Sequence, residues 1–288
     1  MKRRNIVHEK KISLDDSVLI EGDAIRALQK LRERSIQCVV TSPPYWGMRD
    51  YDMPSQIGGE ATLEEYVSRI VTVFMEVKRV LRNDGLLWLN VGDGYTSGKR
   101  AYRSPDPKNE GRAMLWRPET PKGLKCKEII GVPWRIALAL QSAGWYLRTD
   151  IIWHKPNAMP ESVKDRPTRS HEYLFMFSKE ADYYYDYDSS LEIVIGGKRN
   201  RRTVWTIPTQ RKGGFHKATF PEDLIRPCIF SSTKPRDFVL DPFFGSGTVG
   251  LVCKDTGRRF VGIELNPEYI GFAASRLGLD KKSIISRL

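Results

Sequence analysis

The sequence predicts an α/β fold in which a doubly wound, mostly parallel sheet carries helices on both faces. Three observations predict it. Short apolar runs of strand length alternate with longer segments of helical periodicity, the pattern of repeated β–α units. Residues 86–91 are apolar at almost every position, as in a strand covered on both faces. Residues 238–250 read as strand, glycine turn and helix in immediate succession, a unit whose ligands lie beyond the carboxyl ends of the strands.

Taken in order, residues 17–20 form a short strand, and residues 24–34 a helix with Ala24, Leu28 and Leu31 on one stripe. Residues 36–40 form a second strand, which runs into Thr41-Ser42-Pro43-Pro44-Tyr45-Trp46. Thr62 with Glu65 three residues on is a capping box. The stripe Leu63, Tyr66, Val67, Ile70, Phe74, Val77 and Leu81 then makes a long amphipathic helix that stops near Asn83-Asp84-Gly85. Residues 95–127 are rich in Gly, Pro, Lys and Arg and too long for an ordinary connection, which predicts a flexible or ligand-ordered loop. A helix over 132–143 and strands over 145–153 and 173–178 follow, with 183–187 expected to pair as a hairpin with the last of these. Lys198-Arg199-Asn200-Arg201-Arg202 is a second basic, loop-like stretch. Helices over 221–231, 248–256 and 267–276 then alternate with strands over 238–240 and 260–263, and the chain shows no internal repeat.

At 288 residues the chain can bury a substantial core, and 40% hydrophobic with 28% charged residues excludes a disordered or membrane-embedded class. No apolar run approaches the roughly 18 residues that a membrane span needs. The basic start is followed by His8, Glu9, Lys10 and Lys11 rather than by an apolar stretch, so no secretory signal is expected and the chain reads as intracellular, cytoplasmic. Cys38, Cys126, Cys228 and Cys253 are scattered without the short paired spacings of zinc sites, which predicts free thiols, mostly buried, and no metal. A net charge of +12 and a pI near 9.5 imply a polyanionic partner, nucleic acid before an anionic membrane surface.

In the glycine turn, Gly245, Gly247 and Gly250 satisfy GxGxxG, and Glu264 follows near the end of the next strand, where an acid can hold ribose hydroxyls. That much also fits a nicotinamide-dependent oxidoreductase. Asp241 at the strand's end separates the two. A carboxylate there suits a ligand ammonium, as in the methionine part of S-adenosylmethionine, better than a pyrophosphate that prefers a bare helix N-terminus. No Lys follows the glycines, which argues against a phosphate-cradling NTPase loop.

In the proline turn, Pro43 and Pro44 fix the backbone and remove two donors. Carbonyls and the Ser42 hydroxyl remain as acceptors in a rigid cup beside the rings of Tyr45 and Trp46. An exocyclic amino group on a base donates two hydrogens and presents a flat ring, so the cup suits it; a rigid surface loop with an aromatic pair is the other reading of these residues.

Together the two turns resemble the amino-methylating DNA methyltransferases. That family's catalytic signature is Ser/Asp/Asn-Pro-Pro-Tyr/Phe/Trp and its cofactor signature Phe-x-Gly-x-Gly, which stand here as Ser42-Pro43-Pro44-Tyr45 and Phe243-Phe244-Gly245-Ser246-Gly247. The catalytic turn precedes the cofactor turn, as in the family's circularly permuted β group, to which the cytosine-N4-specific enzymes it resembles belong. Leu19-Ile20-Glu21-Gly22-Asp23 is similar to the strand whose acid approaches the cofactor adenine, and Gly262-Ile263-Glu264-Leu265-Asn266 to the strand whose acid holds the ribose. His216-Lys217-Ala218-Thr219-Phe220-Pro221 resembles the segment that closes over the methionine end. Trp153-His154-Lys155-Pro156-Asn157 with Arg169-Ser170-His171-Glu172-Tyr173 is similar to the stretch preceding the target-recognition region. The resemblance covers nearly the whole chain.

The resemblance implies a Rossmann-like methyltransferase sheet with inserted DNA-recognition loops: one catalytic domain over 1–288, a flexible basic loop at about 95–127 and a small target-recognition region at about 155–211. S-adenosyl-L-methionine is the expected cofactor, held by Asp23, Asp241, Phe243, Gly245, Ser246, Gly247, Thr248 and Glu264. Ser42, Pro43, Pro44 and Tyr45 are the expected catalytic residues. The Ser42 hydroxyl and the Pro43 carbonyl accept from the amino hydrogens and aim the nitrogen lone pair at the methyl group for in-line attack, without a covalent intermediate or a metal. The base must flip out of the duplex, with Tyr45 as its expected stacking partner and Trp46 as the alternative. Carbon-5 methylation needs a nucleophilic Cys beside a Pro, and Cys38 lies inside an apolar strand instead. In this family Ser-Pro-Pro usually accompanies cytosine N4 and Asp-Pro-Pro adenine N6, so cytosine is expected and adenine is the alternative; a non-catalytic DNA-binding protein on the same fold is the more remote one. Double-stranded DNA is the expected partner, met by Trp46, Lys155, Arg199, Arg201 and Arg202 and by the basic loops, near which Trp116, Trp153, Tyr183 and Trp205 lie. A cognate restriction endonuclease and a monomeric or homodimeric state are compatible with the resemblance.

Overall fold

The structure is a computed structural model, and it describes residues 11–12, 14–48, 53, 56–97, 117–210 and 220–285. The chain begins with β1 (Val18–Glu21), α1 (Ala24–Lys30), β2 (Ile36–Thr41), α2 (Leu63–Val80) and β3 (Leu81–Val91). It continues through α3 (Val132–Ser142), β4 (Tyr146–His154), β5 (His171–Ser178), the short α4 (Tyr187–Ser190), β6 (Glu192–Val194), β7 (Gly197–Arg199) and β8 (Val204–Thr206). It closes with α5 (Glu222–Ser232), β9 (Phe238–Asp241), α6 (Thr248–Asp255), β10 (Arg259–Glu264), α7 (Pro267–Leu277) and β11 (Ile284–Ile285).

The main sheet has the order β11-β1-β10-β9-β2-β3-β5-β4-β8. From β11 to β3 every neighbouring pair is parallel; β5 runs antiparallel to both β3 and β4, and β8 lies parallel to β4. The predicted doubly wound, mostly parallel sheet is therefore the observed one. β2 and β9 are neighbours, but the chain leaves β2 for β3 on one side and leaves β9 for β10 on the other. A crevice opens beyond the carboxyl ends of strands at such a switch point.

Successive strand residues face opposite layers. Ile20, Val39, Leu87, Phe175, Leu240 and Val261 are buried with α1, α2 and α3; Leu19, Cys38, Trp88, Leu174, Val239 and Phe260 are buried with α5, α6 and α7. In α2 the capping box is closed, with Glu65 N donating to Thr62 Oγ1 at 3.2 Å and Thr62 N to Glu65 Oε2 at 3.1 Å, and Tyr66, Ile70, Phe74 and Val77 are fully buried. No described helix is long and apolar enough to cross a membrane.

Four expectations change. Helix α1 ends at Lys30 rather than near Arg34, because Leu31 turns extended (φ −76°, ψ 148°) and Arg79 of α2 donates to the Leu28 and Leu31 carbonyls at 2.7 and 3.1 Å. Helix α2 ends at Val80, and Gly85 lies within β3. A Cβ there would sit 2.7 Å from the Leu81 side chain and 2.8 Å from the Gln37 carbonyl, so this glycine permits close strand approach and does not stop a helix. The hairpin expected of 183–187 is absent, since β5 is already flanked by β3 and β4; Tyr184 N instead donates to Asp84 O at 2.9 Å and Asp186 N to Ser231 O at 2.7 Å. The basic stretch 198–202 is partly strand, Gly197–Arg199 pairing antiparallel with Glu192–Val194. Of the long loop, 98–116 with Trp116 lies outside the described residues. Its ends are tied by Thr96 N to Glu128 O at 2.9 Å and Ser97 Oγ to Pro118 O at 3.2 Å.

Candidate active site

The proline turn leaves β2 at the switch point, and it is bonded to the glycine turn across the crevice. Thr41 is fully buried and donates through Oγ1 to Asp241 Oδ1 at 2.6 Å, the oxygen that also accepts from Phe243 N at 3.0 Å. One carboxylate thus holds the two turns in register. The fully buried Tyr66 donates its hydroxyl to the Pro44 carbonyl at 2.9 Å. Trp46 is 5% exposed and donates through Nε1 to Glu60 O at 2.9 Å, so its ring walls the turn and does not face outward toward DNA as expected from the sequence.

A chain of hydroxyls leads away from Ser42. Its Oγ donates to the Tyr45 hydroxyl at 3.2 Å, and Tyr45 donates to Glu172 Oε2 at 2.9 Å. Lys155 donates to Glu172 Oε1 and lies 4.1 Å from the Trp153 ring centroid. Lys155 is therefore spent inside the site. Burial first, then the Glu172 charge, pushes the Tyr45 pKa well above the usual phenol range, so its hydroxyl keeps its proton. Gly92 makes room for this packing, since a Cβ there would lie 2.6 Å from Tyr45 Cε2 and 3.2 Å from the Glu172 carboxyl carbon. Tyr45, Trp46, Asp93, Tyr95, Arg117 and Ile130 are among the residues lining a solvent-open pocket beside the turn.

In the glycine turn Gly245 has φ 49° and donates its N–H to Glu264 Oε2 at 2.8 Å, while Asn266 N donates to Oε1 at 2.9 Å. Glu264 accepts from the turn's own backbone, and burial raises its pKa. Gly247, at φ 82°, begins α6, where Thr248 is buried. Ser246 is also buried, its carbonyl and hydroxyl taking Arg276 Nη1 at 2.9 and 3.2 Å. Gly250 serves packing: a Cβ there would meet Phe244 and Leu277 at 2.8 Å. Phe243 is half-buried at the turn. Asp241 is 2% exposed, and burial, with the Glu264 charge adding, pushes its pKa up to about 7. Asp23 caps α1, accepting from Arg26 N at 3.1 Å. Because β1, β10 and β9 are neighbours, Asp23, Glu264 and Asp241 stand at one end of three adjacent strands beside the glycine turn.

Of the expected DNA-facing cations, Arg199 is paired with Glu192 at 2.7 Å, the Arg201 guanidinium lies 5.1 Å from the Trp205 ring centroid, and Arg202 is exposed. Phe220 and Pro221 of the closing segment are described; residues 216–219 are not. Cys38, Cys228 and Cys253 are buried and Cys126 is exposed; burial raises Cys38 far above the thiol range, which leaves no thiolate next to the proline turn. Glu172, Gly92 and Thr41 were missed as site residues. The readable signal was a lone acid opening the apolar run His171–Ser178.

Fold and site define an open α/β protein with an acid-lined glycine turn bonded to an acceptor-rich proline turn. The chain belongs to the DNA methylase family, whose model spans residues 36–275. The resemblance to amino-methylating DNA methyltransferases read from the two turns therefore holds. The type II methyltransferase M.Cfr9I of Citrobacter freundii is 59% identical over 275 residues, 95% of this chain and 92% of its own length. The type II methyltransferase M.SmaI of Serratia marcescens is 55% identical over 262 residues, 90% of each chain. Among solved structures, the PvuII cytosine-N4-specific DNA methyltransferase superposes with a TM-score of 0.70 at 23% identity, covering 94% of this chain and 89% of that one. A Thermus thermophilus protein described as a DNA modification methylase, solved with S-adenosyl-L-methionine, matches with a TM-score of 0.63 at 26% identity over 94% of this chain and 99% of that one.

Proposed function

We propose that the protein transfers the methyl group of S-adenosyl-L-methionine to the exocyclic N4 amino group of a flipped cytosine in double-stranded DNA. The observation that carries this reading is the 2.6 Å bond from Thr41 to Asp241, which sets an acceptor-rich turn directly against an acid-lined glycine turn. The donor set fits the cofactor: acids at the ends of three adjacent strands match ribose hydroxyls and an ammonium, and a cationic partner would favour the ionised form of Asp241, which burial disfavours. Asp23, Asp241, Phe243, Gly245, Ser246, Gly247, Thr248 and Glu264 would hold it, and when bound it supplies a methyl group on a sulfonium.

On the protein's side, the Ser42 hydroxyl and the Pro43 carbonyl accept the two amino hydrogens and turn the nitrogen lone pair out of the ring plane, while Tyr45 stacks on the base. Residues at about 155–211, with Arg199, Arg201 and Arg202, form the target-recognition region, and the loop at about 95–127 contacts the phosphates. The type II names of the relatives support a cognate restriction endonuclease. Ser42 in the first position of the proline motif, and the cytosine-N4 specificity named for the PvuII enzyme, favour cytosine over adenine N6.

The test is to methylate DNA with the purified protein, hydrolyse it and identify the modified nucleoside by mass spectrometry. N4-methylcytosine is expected, N6-methyladenine would overturn the choice of base, and full methyl transfer by Ser42→Ala would overturn the site.

A further inference from the structure

We propose that Glu172, held by Lys155, is a positioning residue that fixes the direction of the hydroxyl chain and so presents lone pairs of Ser42 to the base amino group. This rests on the reading of Ser42 as an acceptor, and not on which base is methylated.

A serine hydroxyl is ambivalent: it donates one hydrogen and accepts through two lone pairs. Facing an amino group, only the accepting orientation helps, because a hydroxyl hydrogen aimed at an N–H sets donor against donor. Nothing in Ser42 itself selects the orientation. The far end of the chain does. A carboxylate paired with an ammonium is ionised and accepts only, so the Tyr45 hydrogen goes to Glu172 Oε2, 2.9 Å away. The Tyr45 oxygen is then left to accept, and it takes the Ser42 hydrogen at 3.2 Å. With that hydrogen committed, what Ser42 offers the substrate is lone pairs.

The far end is built rigidly. The Glu172 and Lys155 side chains are 18% and 16% exposed, the Lys155 ammonium rests on the Trp153 ring, and the missing Cβ of Gly92 lets Tyr45 and Glu172 pack against the backbone of the strand's exit. Asn90 Oδ1, at 3.5 Å, is a longer second acceptor for the same tyrosine hydroxyl. Lys155 also dictates what an amide would do at position 172. Its ammonium requires an oxygen opposite it, so the amide nitrogen of Glu172→Gln falls toward Tyr45 and reverses the chain.

The experiment measures single-turnover methyl transfer by the full chain, with radiolabelled S-adenosylmethionine and unmodified genomic DNA, for Ser42→Ala, Tyr45→Phe, Glu172→Gln and the double variant Tyr45→Phe/Glu172→Gln. Glu172→Gln is expected to lower the rate about tenfold or more, with cofactor affinity by calorimetry and half-saturating DNA concentration within twofold of the parent. The double variant is expected to be no slower than Tyr45→Phe alone, because Glu172 acts only through that hydroxyl. A parental rate for Glu172→Gln, or losses that multiply in the double variant, would overturn the proposal while an inactive Ser42→Ala left the acceptor reading intact. A parental rate for Ser42→Ala would sink that reading and this proposal with it. Should Glu172→Gln fail to fold, Tyr45→Phe decides alone, since a parental rate without the hydroxyl leaves Glu172 nothing to orient.

Discussion

Gly92 carries no chemistry, yet it decides where the site's chemistry can stand. Its absent methyl group leaves the space in which Tyr45 lies against Glu172, with 2.6 Å between a Cβ and the tyrosine ring. Gly92→Ala is therefore expected to push the ring aside and lower the methyl-transfer rate at least tenfold, at a cost in stability of about 1–3 kcal/mol, read from urea unfolding beside single-turnover kinetics. Asp241 makes a prediction about pH. Its folded pKa of about 7 lies above the ordinary carboxyl value, so between about pH 4 and 7 the folded chain holds a proton that the unfolded chain has released. In the ligand-free protein the contribution of Asp241 to stability therefore falls as pH rises through that window. Asp241→Asn, which keeps the acceptor for Thr41 and Phe243, should lose less between pH 5 and 7 in urea titrations. Glu264, also raised by burial, contributes in the same direction, so the variant's slope shrinks without vanishing. At this scale the motif residues were legible because steric and donor rules act locally. Trp46 and Lys155 were expected to face DNA, but the structure buries the first and pairs the second with Glu172; an aromatic ring or a cation beside a motif reads identically whether it faces DNA or a buried partner.

Among the elements, α2 positions the proline turn through the Tyr66 hydroxyl, so the helix's stability and the turn's geometry are separable. The capping box sits a full turn away from Tyr66's bond to Pro44 and touches only backbone at the helix start. Thr62→Ala is expected to cost about 1 kcal/mol in chemical unfolding and leave methyl transfer at its parental rate. The element borders misread from the sequence have a common cause. Asn83-Asp84-Gly85 satisfies every local criterion for a helix stop, but the space between Leu81 and Gln37 makes it part of a strand. Tyr183–Tyr187 has the composition of a strand partner for β5, but both edges of β5 are occupied by strands from elsewhere in the chain. Local propensity has no access to either fact.

For the whole molecule, the +12 charge predicts a DNA affinity that falls steeply with salt. Lys198→Ala and Arg202→Ala, at exposed positions of the basic stretch, are expected to flatten the slope of log affinity against log salt by about one unit each while cofactor binding is unchanged. A wild-type slope in both would remove this stretch from the DNA surface. Arg199, already paired with Glu192, should contribute less than either.

The sequence by itself determined the alternation of strands and helices, the two turns and their order along the chain, because periodicity, proline and glycine act over a few residues. It also placed Ser42 in the turn beyond one strand and Asp241 at the end of another. That these strands are neighbours, bonded through Thr41, was decided only by the tertiary structure, which closes a contact between residues 200 positions apart. The same holds for Glu172 and Lys155, whose meeting with Tyr45 depends on β5 running antiparallel between β3 and β4. Strand pairing selects partners by the burial of both faces of the whole sheet, and no local stretch of sequence carries that information.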